Sequence, residues 1–172
     1  MSATPTLERA TSGAPVVPWS LEDLLPHRAP MILLDAVESF DAEARRLTAK
    51  VTITPEQIFF FKGENGVPNW VAIEYMAQAS ALLAGCWDRH VAPDRPTRPG
   101  LLLGTRKLEL KCACFTAGQT YHVSAEDVFS DADAASFACT IVDDAGAEVA
   151  AATLNAYRPP DLKQFLKEQA QS

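Results

Sequence analysis

Apolar residues lie on every side of the stretch 69–84, instead of forming the single stripe of a surface helix. Asn69 is placed to cap the first turn of a helix there, and Gly85 is placed to end it. Glu74 is the only charged residue inside the stretch, and Gln78 shares its helical face four residues later. A carboxylate in apolar surroundings loses solvation unless a partner compensates for it. The pattern predicts a buried central helix, with Glu74 either catalytic or hydrogen-bonded in a structural role.

Six further segments have the hydropathy pattern of strands. They are 31–40, 46–54, 101–111, 119–129, 135–142 and 148–157. The last two are joined by Asp-Asp-Ala-Gly at 143–146, which is typical of a hairpin turn. Ser20 can cap a short helical turn over 20–25, and apolar spacing beyond Asp161 favours a short helix or a frayed end.

The order of these elements predicts an α+β protein in which one antiparallel sheet wraps around one long central helix. We expect one domain at 19–160, with a flexible arm at 1–18 before it and a tail or short helix at 161–172 after it. A single sheet covers only one side of a helix that is apolar all round. We therefore expect the protein to dimerise.

Composition narrows the class of protein. The chain of 172 residues has no apolar run long enough to span a membrane, and its first residues lack the pattern of a signal peptide, so we expect a cytoplasmic protein. Cys112 and Cys114 are two residues apart, and no histidine follows or precedes them at the sequence spacing that is typical of zinc ligands. We therefore interpret the cysteines as small buried residues and expect no metal.

The net charge of −7 argues against nucleic acid as a partner. Basic residues nevertheless outnumber acidic ones between positions 88 and 111. Such a local excess suits an anionic partner or a ligand that carries a phosphate. A solvated surface without a partner is the alternative interpretation.

Three segments carry a resemblance to a known family. Residues 25–35 read Leu-Pro-His-Arg-Ala-Pro-Met-Ile-Leu-Leu-Asp, residues 73–79 read Ile-Glu-Tyr-Met-Ala-Gln-Ala, and residues 103–106 read Leu-Gly-Thr-Arg. In this order they resemble the hot-dog-fold 3-hydroxyacyl-acyl-carrier-protein dehydratases of the FabZ-like kind. Residues 68–78 are similar to the branch found in aryl polyene gene clusters. The likeness extends from Leu21 to Tyr157.

This resemblance implies an enzyme that forms a 2-enoyl thioester in fatty acid or polyene-type biosynthesis, without a cofactor. It implies an acyl carrier protein as partner and a catalytic role for Glu74. The family's other catalytic group is a histidine in a Gly-His-Phe-Pro-Gly loop just before the helix. Here residues 61–68 read Phe-Lys-Gly-Glu-Asn-Gly-Val-Pro, so the histidine is missing and Glu64 follows the glycine.

Dehydration needs a base for the C2 proton and an acid for the departing hydroxyl, and histidine suits either role. His122 lies in the middle of a predicted strand, and His90 lies in a predicted loop beyond the far end of the helix. His27 lies between two prolines in the Leu-Pro-His-Arg segment and is our candidate partner for Glu74. The family also has this histidine beside its catalytic one, so an orienting or structural role stays open.

Other residues receive binding roles. Backbone N–H groups at the start of the helix could hydrogen-bond a thioester carbonyl. We expect the substrate to contact Asn69, Trp70, Val71 and Gln78. We expect the acidic carrier protein and its phosphopantetheine to dock on Arg89, Arg95, Arg98, Arg106 and Lys107.

Two other functions compete with the dehydratase. The missing loop histidine favours an impaired pseudo-dehydratase subunit that pairs with an active homologue, so the dimer could be of identical or of different subunits. A hot-dog thioesterase, in which the helix carboxylate activates water, is the second. The Leu-Pro-His-Arg and Met-Ala-Gln segments favour the dehydratase.

Overall fold

One long helix, α2 (Ala72–Val91), packs against an antiparallel sheet in a computed structural model that describes residues 16–94 and 98–170. Two shorter helices are α1 (Leu21–Leu24) and α3 (Leu162–Gln169). The strands are β1 (Ala36–Asp41), β2 (Arg46–Thr52), β3 (Gly66–Pro68), β4 (Leu101–Leu110), β5 (Cys114–Thr116), β6 (Thr120–Ser130), β7 (Ala134–Asp143) and β8 (Glu148–Tyr157).

The main sheet has the strand order β1-β2-β6-β7-β8-β4, and every neighbouring pair is antiparallel. This arrangement confirms the predicted sheet with one long helix. A second sheet pairs β3 with β5 and was not predicted, because three residues are too few to show an alternating pattern. Gly66 in β3 comes so close to the Phe115 carbonyl that a Cβ there would lie 2.3 Å from its oxygen.

The first predicted strand, 31–40, is wrong over its first five residues. β1 begins at Ala36. In the segment before it, the backbone of Met31 and Leu33 forms hydrogen bonds with α2 and not with a strand. The Leu33 N–H donates to the Gln78 side-chain oxygen at 2.9 Å, and the Gln78 amide donates to the Met31 carbonyl at 2.7 Å. One buried side chain therefore fixes the segment that follows His27.

Both predicted ends of the central helix are wrong. Asn69 lies in a short 3-10 turn, where its side-chain amide donates to the Cys112 carbonyl at 2.8 Å and caps no helix. The helix also continues through Gly85 to Val91, which puts His90 in its last turn. A Cβ on Gly85 would lie 3.0 Å from the Leu24 carbonyl, so glycine serves here to let α1 approach α2.

The core lies between α2 and the inner face of the sheet. α2 contributes Tyr75, Met76, Ala79, Leu82 and Leu83, all buried. Alternate residues of β2 and β6 face them, and burial of each large aliphatic side chain contributes roughly 1.5–3 kcal/mol.

The ends of the chain modify the predicted boundaries. Val17 belongs to the core, so the predicted arm at 1–18 is wrong at its end, and residues 1–15 lie outside the described part. Beyond residue 160 the chain forms α3, with the Phe165 ring 5.5 Å from that of Tyr157. In the described ranges, every helix is too short or too polar to cross a membrane.

Candidate active site

His27 and Glu74 come together across two elements that are far apart in sequence. Glu74 lies in the first turn of α2, and His27 lies in the segment that follows α1. The His27 Nε2 atom is 3.5 Å from the Glu74 Oε1 atom, and their side chains are 31% and 32% exposed. That separation is too long for a strong hydrogen bond, which leaves both groups able to engage a third molecule.

Gln78 fixes the position of the Glu74 carboxylate by a hydrogen bond. It lies one turn later on α2, is fully buried, and its Nε2 atom donates to Glu74 Oε1 at 2.8 Å. The same amide group makes the two bonds to Met31 and Leu33 described above. Because an unmade bond at a buried amide costs about 1–3 kcal/mol, this network fixes both the carboxylate and the backbone beyond His27.

His27 presents one ring nitrogen to Glu74. Its Nδ1 atom is buried and has no hydrogen-bond partner among the described residues. Its carbonyl oxygen accepts from the Arg28 guanidinium at 2.7 Å, which steadies the turn between Pro26 and Met31. The Nε2 atom is therefore the ring nitrogen that faces Glu74.

Both side chains line a cavity of about 240 Å³. From Glu74 it follows α2 past Ala77, Ala81 and Ala84. The opposite walls come from β4, β7 and β8, and include Leu101, Leu102, Phe137, Leu154, Ala156 and Arg158. A cavity with apolar walls and a pair of proton-transfer groups at one end suits a long apolar chain with a reactive head.

The other predicted substrate-binding residues lie elsewhere. Asn69 is bonded to Cys112, and the Val71 side chain is buried in the core. Trp70 is 59% exposed and contacts the ring of Phe59. None of these three is among the described residues that line the cavity, and Gln78 lies behind Glu74 with no exposed surface.

The predicted docking residues fall into two groups. Arg98 lines the cavity, and Arg89 donates to the Asp23 carbonyl at 3.2 Å near α1. Arg106 and Lys107 are exposed farther along β4, with Arg106 about 17 Å of strand beyond Leu101. Arg95 lies outside the described residues.

Two arginines near the cavity were missed by the sequence analysis. Arg28 is exposed beside His27 and lines a neighbouring hollow together with Arg89. The position of Arg28 in the Leu-Pro-His-Arg segment, next to the candidate His27, could have pointed to it. Arg158 forms an ion pair with Asp88, and no local pattern could have linked residues so far apart in the chain.

Glu64, which follows the glycine where the family has its histidine, is exposed in a short 3-10 turn before β3. It is not among the described residues that line the cavity. His90 contacts the rings of Phe40 and Trp87, and it also lies away from the cavity walls. Of the three histidines, only His27 meets Glu74 in the described part of the chain.

His122 belongs to a separate cluster on the outer face of the sheet. Its Nδ1 atom is 2.6 Å from Glu38 Oε2, and its Nε2 atom is 3.0 Å from Asp144 Oδ1. The hydrogen bond with Glu38, reinforced by Asp144, raises the pKa of His122 above its ordinary value. This cluster stabilises an imidazolium far from the cavity.

The cysteines divide by burial. Burial raises the pKa of the Cys86 thiol to about 12 and that of Cys139 to about 11, so both are protonated in the core. Cys112 and Cys114 are half-buried, which corrects their interpretation as fully buried residues. Within 16–94 and 98–170, no three His, Cys, Asp or Glu side chains are grouped to hold a metal ion.

Comparison with known families matches residues 19–167 to the ApeP-like family, whose description is ApeP dehydratase. Among similar curated proteins, the 3-hydroxyacyl-acyl-carrier-protein dehydratase FabZ of Chlamydia pneumoniae is 38% identical over 96 residues, or 54% of this chain and 61% of that protein. The FabZ of Chlamydia caviae is 36% identical over 104 residues, or 58% and 66% of the two chains. The alignments span between about three fifths and two thirds of the length of these relatives.

A solved structure described as the dehydratase heterocomplex ApeI:P from Xenorhabdus doucetiae contains a similar chain. It is 28% identical, has a TM-score of 0.75, and the match covers 86% of this chain and 95% of that one. A hypothetical thioesterase from Streptococcus pneumoniae, solved with coenzyme A, is 11% identical with a TM-score of 0.56, over 72% of this chain and 84% of its own. The likeness to the hypothetical thioesterase concerns the fold alone. The predicted hot-dog fold is confirmed.

The His122 cluster predicts a pH-dependent contribution to stability. Because the folded-state pKa is raised, the contribution is full below the unfolded-state pKa of about 6.5 and is lost as pH rises through the folded-state value. His122→Gln should lower the free energy of unfolding by about 0.2–1 kcal/mol below the unfolded-state pKa, the range for exposed pairs, and by less once the pH has risen through the folded-state pKa.

Denaturant unfolding at both pH values measures this difference. His90→Gln is the matched control, because the described contacts of His90 are with aromatic rings. Equal losses for His122→Gln in acid and in base would contradict the assignment.

Proposed function

The chain belongs to the ApeP-like dehydratase family, and from that premise we propose that it removes water from a 3-hydroxyacyl thioester borne by an acyl carrier protein. One observation carries this proposal: His27 and Glu74 face each other at one end of an apolar cavity. The curated relatives named above are dehydratases of such thioesters, which supports the same substrate class for this chain.

The reaction breaks the C2–H bond and the C3–O bond and forms the C2=C3 double bond. One group must take the C2 proton while another gives a proton to the hydroxyl, which leaves as water. His27 and Glu74 can meet this requirement when they hold one proton between them. The acid's proton leaves in the water and the C2 proton ends on the base, so after each turnover the pair still holds one proton, but on its other member. That proton must pass back before the next turnover.

The hydrogen bonds support one choice of atoms for these proposed steps. Glu74 Oε1 already accepts from Gln78, so Oε2 is the oxygen for proton transfer. On His27 the corresponding atom is Nε2, which faces the carboxylate. Gln78 is buried and acts as a positioning residue in this proposal instead of a substrate contact.

The carrier protein would approach beside His27. Arg28 and Arg89 line a hollow there together with Glu22 and Asp23 of α1, and Pro99 belongs both to this hollow and to the walls of the cavity. Positive side chains at a cavity mouth suit an acidic carrier protein and the phosphate of its prosthetic group. This narrows the expected docking surface to Arg28 and Arg89, because Arg98 lines the far part of the cavity, and it leaves Arg106 and Lys107 for another role.

A second subunit would pair along β4. This strand ends the main sheet, so one row of its backbone N–H and C=O groups has no strand beside it among the described residues. Leu103 is 68% exposed and Leu108 is also exposed, which is unusual for a sheet edge left in water. The solved relative is described as a dehydratase heterocomplex, which supports a homologous dehydratase as the partner, and a second copy of this chain is the alternative.

The catalytic proposal predicts large losses at both members of the pair. Glu74→Gln and His27→Asn should each lower kcat/KM by about 10²–10⁴, the usual contribution of general acid–base catalysis. His122→Asn, which alters a histidine away from the cavity, is the control and should retain nearly full activity. A folded Glu74→Gln variant that dehydrates a hydroxyacyl carrier-protein substrate at the normal rate would contradict the proposal.

The docking proposal predicts a loss that depends on the substrate's carrier. Arg28→Glu with Arg89→Glu should raise KM for the carrier-protein substrate and flatten its salt dependence, while a small pantetheine substrate keeps its KM. Lys163→Glu with Lys167→Glu on α3 makes the same change in net charge at exposed sites and serves as the control. Equal losses with both substrates would show that these arginines act on the cavity and not on docking.

The pairing proposal predicts a smaller species when β4 is made polar. Leu103→Lys with Leu108→Lys should shift the assembly toward monomer in sedimentation velocity, because two charges would be buried at the interface. Phe129→Lys changes an apolar residue on β6 whose exposure lies between those of Leu103 and Leu108, and it should leave the assembly intact. An unchanged sedimentation coefficient in the β4 variant would exclude this edge as the interface.

A further inference from the structure

Five residues of α2 follow one another at spacings of three and four: Glu74, Ala77, Ala81, Ala84 and Asp88. This spacing puts them on one face of the helix. Three methyl groups therefore separate two carboxylates that lie about 21 Å apart along the helix axis. Glu74 belongs to the proposed reaction, whereas Asp88 has no part in it.

Asp88 instead forms an ion pair with Arg158, which follows β8. The two side chains are 14% and 15% exposed, so the pair is largely withdrawn from water. The same Arg158 nitrogen donates to the Arg98 carbonyl at 3.3 Å. The Arg158 backbone N–H donates to the Asp133 carbonyl at 2.6 Å, so both the side chain and the backbone are fixed.

This pair stands where two cavities meet. The cavity of about 240 Å³ that starts at Glu74 is followed by a second of about 200 Å³. The residues common to both linings are Ala84, Arg98, Phe137 and Arg158. Asp88 lines only the second cavity, so it holds Arg158 from the far side of this partition.

The two cavities differ in chemistry. Between its two ends the first is lined along α2 by three alanines and Ser80, whereas the second contains the Arg45–Asp127 ion pair and Asp131. An alkyl chain that passed the partition would have to separate Arg158 from Asp88 and then lie against charged groups. Removing one ion of a largely buried pair from its partner is strongly unfavourable, so the partition resists a longer chain.

We propose that Arg158, held by Asp88, forms with Phe137 the end wall of the acyl cavity and sets the longest chain that the protein accepts. This inference rests on the proposed function, because it takes the first cavity to hold the acyl chain. Without the wall the cavities join, and the accessible path lengthens by about 6 Å, the axial distance from Ala84 to Asp88.

The test measures kcat/KM over 3-hydroxyacyl thioesters of increasing length, with the protein in the assembly it forms in solution. Asp88→Ala with Arg158→Ala removes both charges and opens the wall, and the length at which kcat/KM falls tenfold should increase by roughly five carbons for about 6 Å of path. Asp88→Leu with Arg158→Met fills the space without charge and should restore the original limit. Arg46→Ala with Glu126→Ala, which removes an exposed ion pair between β2 and β6, should leave the limit unchanged.

A binding series separates failure of the wall from failure of the proposed function. Alkyl pantetheine thioethers cannot react, and calorimetry with them should show the same limit and the same shift. If no hydroxyacyl thioester is dehydrated, the proposed function fails, yet a shifted binding limit still supports the wall. An identical limit in the normal protein and the alanine pair, in both assays, would overturn the wall.

A further variant tests the wall independently, in case the double alanine variant does not fold. Phe137→Ala removes the apolar half of the partition and leaves the ion pair in place. It should also admit longer chains. If Phe137→Ala and the alanine pair are both folded and neither changes the limit, the chain ends elsewhere and the inference is wrong.

Discussion

The buried amide of Gln78 is the interaction on which the arrangement of the site depends. It joins α2 to the segment 31–33 through two backbone bonds and places a third bond on Glu74. Because the side chain is fully buried, none of these bonds can be exchanged for water without cost. The carboxylate and the turn that carries His27 are thus set relative to each other by one side chain.

The alanines of α2 leave space for the cavity that begins at this pair. Small side chains at Ala77, Ala81 and Ala84 leave room beside a helix whose other faces are packed into the sheet. The space begins at the His27–Glu74 pair and ends at Arg158, so its length is defined by charged groups at both ends. The proposed proton transfer, chain binding and chain limit therefore share one helical face.

The sequence predicts what depends on local periodicity, and it fails where a long-range contact decides. The alternation of apolar and polar residues predicted the six long strands, and the apolar residues on every side of 69–84 predicted the central helix. Asn69 does not cap the helix because its amide meets Cys112, and Gly85 does not end it because α1 packs there. Glu74 stood out as a charge among apolar residues, whereas His27 needed a family resemblance and elimination.

The central claim is that His27 and Glu74 act as one unit on the same substrate. The most direct measurement compares kcat/KM of the double variant His27→Asn/Glu74→Gln with that of each single variant. If the two residues form one proton-transfer pair, the double variant should be about as slow as the slower single variant. Losses that multiply in the double variant would show two independent roles and would contradict the account.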